Sequence, residues 1–118
     1  DDSVEKISEK ILNQGEAYWK IFLFEFADEF YRNPRRDLII RAPDPRSSHK
    51  IQALLASTVE FLCGPRMPAH WWCAGVPPLP EPWFVSETES LKTSALVESA
   101  AQFRRRNIFV LGNFLERA

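Results

Sequence analysis

The chain is poor in glycine, cysteine, histidine and methionine, with four, two, two and one in 118 residues. So few glycines leave no Gly-rich phosphate loop, and neither His-Glu-x-x-His nor Gly-x-Ser-x-Gly occurs, so the common nucleotide-binding, metalloprotease and serine-hydrolase signatures are missing. Two cysteines cannot form a disulfide framework. In a chain able to build its own core they point to reduced thiols in a cytoplasm. No apolar run approaches the length of a bilayer-spanning helix, and the start of the chain is charged and acidic where a leader would be basic and then apolar. The expectation is a cytoplasmic protein without membrane contact. An excess of one charge is missing too: the formal net charge is −1, whereas a nucleic-acid-binding domain is usually distinctly basic.

What is present is a globular composition, 45% hydrophobic and 26% charged, in a length that suits one domain spanning 1–118. The near-neutral total hides a segregation. Residues 1–31 hold eight acids and three bases, 32–50 two acids and six bases, 51–103 five acids and two bases, and 104–118 one acid and four bases. The basic blocks are mostly arginine: Arg32, Arg35, Arg36, Arg41 and Arg46, then Arg104, Arg105, Arg106 and Arg117. Their forks match phosphate or carboxylate, so they face nucleic acid, a partner's acids or the chain's own acidic first helix; the balance of charge favours the acids.

Apolar periodicity predicts an all-α fold with three main helices, about 3–31, 47–63 and 86–117, and a short helix near 68–74. The first, opened by Ser3 and stopped at Asn33-Pro34, places Val4, Ile7, Ile11, Leu12, Tyr18, Trp19, Phe22, Leu23, Phe26 and Phe30 on one arc. Phe24, Ala27 and Tyr31 fall opposite, so its second half should be sandwiched or engaged with another chain. Residues 32–46 read as an irregular crossing with a brief extended Leu38-Ile39-Ile40. Asp44 or Ser47/Ser48 caps the second helix, which Gly64-Pro65 ends. Pro68 suits a first helical position and Gly75 a stop. Ser86 and Glu89 form a capping-box pattern opening the last helix, whose seam includes Leu96, Ala100, Phe103, Asn107, Leu111 and Phe114, with a possible break near Ser99.

The stretch HWWCAGVPPLPEPWF, residues 70–84, concentrates Trp and Pro and reads first as a rigid brace across the helices, then as a partner face, then as an active site. Cys63, His70 and Cys73 are zinc-type donors, but His49 lies on the second helix about 21 Å from Cys63 at 1.5 Å rise per residue, which leaves Glu60 as the near fourth ligand. Buried thiols beside a hydrogen-bonded His are the plainer reading, and no metal or cofactor is expected. Either cysteine with His70 is the one candidate nucleophilic dyad, without an evident third residue. Glu25 and Glu29 lie on the apolar arc, where a carboxylate either becomes a general acid or pairs with an arginine from 32–46 or 104–106; pairing is the expectation.

From Pro80 onward the chain reads PEPWFVSETESLKTSALVESAAQFRRRNIFVLGNFLERA. With its Pro-Trp-Phe and its Phe-Arg-Arg-Arg-Asn-Ile-Phe, this last third resembles the ending of small uncharacterised bacterial helical proteins encoded beside nucleotidyltransferase-like or toxin–antitoxin-type genes. That resemblance implies a partner or antitoxin-like role. The helical ribonucleases of such pairs carry Arg-x4-6-His, whereas Arg66 to His70 has three intervening residues and Arg41 to His49 seven, so that signature does not carry over and the nuclease role is not the expectation. The functional expectation is a non-catalytic protein–protein interaction module, as a homodimer or in a complex, with Phe24, Tyr31, Phe109 and Arg104, Arg105 and Arg106 at the contact. An enzyme or metal-binding domain using Cys63, His70, Cys73 and Glu29, and a nucleic-acid-binding module using the Arg blocks, are the alternatives.

Overall fold

Ser3 caps the first helix, its hydroxyl accepting the Lys6 amide at 3.2 Å, and α1 (Val4–Gln14) follows. The computed structural model describes residues 2–64, 68–86 and 88–115. Here α1 is not half of a longer rod. Gly15 interrupts it at φ +115°, a conformation that side-chain-bearing residues rarely adopt, a 3-10 turn (Glu16–Tyr18) redirects the chain, and α2 (Trp19–Arg32) starts as a separate helix. The single 3–31 helix is therefore corrected to two. Its arc is corrected with it, because a break resets the helical phase: Leu12 and Tyr18 are exposed, while Ala27 is fully buried alongside Leu23, Phe26 and Phe30.

The crossing segment forms a 3-10 turn (Arg36–Leu38) where an extended piece was expected, and it buries Leu38 and Ile39. Ser8 of α1 pins its far end: the Asp44 amide donates to Ser8 Oγ at 2.9 Å, and that hydroxyl donates to the Glu5 carbonyl at 2.7 Å. Ser48 caps α3 (His49–Cys63) through the Ile51 amide, and Gly64 ends it at φ +58°. Every residue from Ala53 to Val59 is buried, so α3 is the central rod, packed against α2, α4 (Trp71–Ala74) and α6 (Ala101–Arg104).

The predicted last helix is also corrected. Its capping box does not form: Thr88 is the cap residue of α5 (Glu89–Glu98) and makes no side-chain capping bond. Glu87 of that box, like Pro65, Arg66, Arg117 and the predicted helix end at 116–117, lies outside the described residues. Ser99 then turns the chain at φ −57°, ψ 130°, its hydroxyl donating to the Ala95 carbonyl at 2.6 Å, lying 3.0 Å from the Val110 carbonyl, and accepting the Val110 amide. After the single turn of α6, Asn107 adopts φ 68°, a left-handed position that Asn tolerates better than most residues, and ends the helix instead of lying on its seam. The chain continues as β2 (Ile108–Phe109), parallel to β1 (Trp83–Phe84), with Trp83 opposite Ile108 and Phe84 opposite Phe109.

Among the described residues the fold is thus mainly α-helical with one two-residue strand pair. Among the described residues, no helix is long and apolar enough to cross a membrane.

Candidate functional site

The Cys/His cluster is assembled around Arg106. Leu79 donates its amide to the Arg106 carbonyl at 3.0 Å, and Asn107 Nδ2 donates to the Leu79 carbonyl at 3.0 Å. His49 Nε2 lies 2.9 Å from the Pro77 carbonyl, which can only accept. Prolines 77, 78, 80 and 82 have no amide hydrogen, so this segment crosses the surface with few donors left to satisfy. Arg106 is 6% exposed, and all five of its N–H groups are used, on the Val76 and Cys73 carbonyls, Ser57 Oγ and both oxygens of Glu60. Arg105 reaches Glu60 as well, at 3.6 Å.

Glu60 is therefore committed to arginine, where a metal site would need it free. Cys63 and Cys73 are unbridged and buried, and burial, followed by the Glu60 charge, pushes both thiols up, Cys73 to about 12. Both are neutral thiols at physiological pH, the form that is neither ligand nor nucleophile. Cys73 and His70 are joined by backbone, the Cys73 amide donating to the His70 carbonyl at 3.0 Å; among the described residues no thiol bonds the imidazole, and His70 Nδ1 is buried without a partner. No group of three or more His, Cys, Asp or Glu among the described residues is placed to hold a metal ion.

Glu29 is paired, receiving Arg35 Nη2 at 3.0 Å. Glu25 is exposed, a correction to its predicted place on the apolar arc that follows from the break at Gly15. The proposed contact residues divide. Tyr31 is 50% exposed. Phe24 is half-buried with its ring 5.8 Å from Phe114, and Phe109 stacks on Phe84 at 5.0 Å. Arg104 donates to the Leu96, Val97 and Ser99 carbonyls at the end of α5, and Arg105 is largely exposed. Arg106 is corrected from a surface contact to an internal tie, because its donors are consumed inside.

Among the described arginines of the two blocks, all but Arg32 and Arg36 are held by the chain. Arg35, Arg41, Arg46, Arg104, Arg105 and Arg106 all bond to the chain itself. Lys6, Lys10 and Lys92 each meet a carboxylate. Among the described residues Lys20 and Lys50 do not, and both line one groove.

That groove holds about 570 Å³ and is lined by Glu16, Ala17, Trp19, Lys20, Lys50, Trp83, Val85 and Ser86. Trp19 and Trp83 meet edge to face with centroids 5.5 Å apart, Lys50 Nζ stands 4.5 Å over the Trp83 ring, and Lys20 Nζ is 5.7 Å from the Trp19 ring. A second hollow of about 300 Å³ shares Lys20, Val85 and Ser86 with the first and is completed by Phe24, Leu111, Asn113 and Phe114, so its lining is mostly apolar. The whole is a surface trough, cationic at one end and apolar at the other.

Local folding places each wall. The turn after Gly15 brings Trp19 and Lys20 to the start of α2, Ser48 sets Lys50 in the first turn of α3, and the strand pair holds Trp83 and Val85 opposite them. Sequence reasoning did not single out Lys20, Lys50 or the Trp19–Trp83 pair. The available signal was a lysine, with no acid, in the first turn of each helix, where a cation opposes the helix dipole. No family model, curated protein or solved structure matches the chain.

Proposed function

We propose that this chain is a non-catalytic binding module and that the trough between the start of α2, the start of α3 and β1 is where a partner protein docks. The observation that carries the reading is that the two described lysines without a carboxylate partner line the same groove, over paired tryptophans. Tryptophan is among the residues that carry most of the energy of protein contacts, so the Trp pair offers an anchor, and the two lysines beside it offer charge to a complementary surface. In this reading the Pro-rich segment 75–82 is a brace that sets the β1 wall, and the C-terminal resemblance to partners of toxin–antitoxin-type genes fits the same role. The thiols and Glu60 serve the core instead of chemistry.

A photocrosslinking side chain in place of Ser86, which lines both hollows, tests this in the native host. One discrete protein adduct is expected, lost on Lys20→Glu/Lys50→Glu with the melting temperature unchanged. No adduct, or one indifferent to those substitutions, would remove the trough as the docking face.

A further inference from the structure

Resting on that docking reading, we infer the chemistry of the occupant: an acidic segment of the partner protein that carries a large apolar side chain next to its carboxylates. The described charged side chains facing the larger hollow are Lys20, Lys50 and Glu16. Glu16 accepts Ser48 Oγ at 2.7 Å, so its carboxylate is held toward the cap of α3 while the two ammonium groups have no acid opposite them. The charge left to be answered is positive. Because each ammonium group already stands over an indole, less rotamer entropy remains to be lost when a carboxylate docks.

The apolar hollow fixes the second half of the ligand. It shares Lys20, Val85 and Ser86 with the cationic one, so an apolar side chain seated against Phe114 and Leu111 belongs to the same short stretch as acids resting on Lys20 and Lys50. A trough open along its length suits a chain segment better than a small molecule, whose sites usually enclose most of the ligand. Nucleic acid fits less well. Its bases need an open aromatic face, and a lysine stands over each of these indoles. Among the described residues, the arginine forks that clamp phosphate are tied to the chain's own groups, apart from Arg32 and Arg36 at and beyond the far end of α2.

The test is a titration of the whole chain, followed by indole emission and calorimetry, with a Trp-free peptide bearing a run of glutamates followed by Phe-Leu. Saturable binding that weakens with salt is expected. Exchanging glutamates for glutamines, replacing Phe-Leu by Ser-Ser, or using Lys20→Met/Lys50→Met should each weaken it about tenfold, the scale of losing two exposed charge pairs or one apolar anchor. Both lysines are exposed, so the variant keeps its fold, checked by circular dichroism. Equal binding of the glutamine peptide, or an oligothymidylate that binds more tightly and competes at the same lysines, would overturn the inference. If the peptide fails while the native adduct at position 86 still depends on Lys20 and Lys50, the occupant is wrong and the docking face stands. If that adduct ignores the lysines, both fall.

Discussion

Cys73 shows how burial decides what a side chain can do. An unfolded cysteine loses its proton near 9.0, whereas in the fold this thiol keeps it to about 12, so the native state binds the extra proton. The raised value contributes stability that is complete below pH 9 and is lost as pH climbs from there toward 12. Cys63 shifts the same way. Urea unfolding followed across that window should show stability falling with pH, with a shallower fall for Cys73→Ala; thiol-reagent labelling at pH 8 should be slow in the native protein and fast once urea unfolds it. Arg106 makes the complementary case. Removing it breaks the buried pair with Glu60, which keeps only the exposed Arg105 at 3.6 Å, and takes a donor from the Val76 and Cys73 carbonyls, so Arg106→Met should cost about 3–5 kcal/mol, the scale for breaking a buried pair. The double variant Arg106→Met/Glu60→Leu should recover only part of that loss, because the Val76 carbonyl stays without its Arg106 donor, while the Cys73 carbonyl keeps the Val76 amide at 3.1 Å. Full recovery would show that the ion pair alone matters.

At the scale of elements, the helix starts separate what pattern can read from what it cannot. Ser3 and Ser48 were legible as caps because each stands directly before an apolar-periodic run, and both bond the amide three residues on. Ser86 with Glu89 matches the same pattern and fails, since α5 begins three residues beyond Ser86, buries only Ala95 and has little packing to hold a chosen start. Ser48→Ala should therefore cost about 1 kcal/mol in chemical denaturation and Ser86→Ala close to nothing. Gly15 was illegible for another reason. A glycine within a helical period is usually tolerated, and only the packing of α2 across α1 and α3 requires it at φ +115°. The nearest atom to an added Cβ there is 3.7 Å away, so Gly15→Ala tests backbone strain and not a clash, with an expected loss of about 1 kcal/mol or more.

For the molecule as a whole, surplus apolar side chains predict an interface from sequence, and the structure distributes them differently. Phe24 and Phe109, from opposite ends of the chain, are each half-covered by aromatic neighbours of the same chain. Phe109→Ala should lower stability by about 1–3 kcal/mol, the range of a partial aromatic truncation, and leave the sedimentation coefficient at micromolar concentration unchanged. A shift from dimer to monomer would instead place Phe109 at a self-contact. Lys20→Ala/Lys50→Ala should change stability by about 1 kcal/mol at most, since exposed cation–π contacts are weak, while shifting the emission of the paired tryptophans.

Helix-forming periodicity, serine caps and terminating glycines are local properties, so the mainly helical class, the start of α3 and the ends of α3 and α4 could be read from neighbouring residues alone. The trough depended on residues 19, 50 and 83 meeting, and no local rule relates positions so far apart. Which cations are already spoken for was decided by the same long-range packing. Most of the described arginines turned to carbonyls and carboxylates of their own chain, and Arg106 in particular satisfies a buried core after Ser99 and Asn107 break the last helix to bring it there. Two lysines without any distinguishing motif were left facing outward beside the only Trp–Trp contact among the described residues.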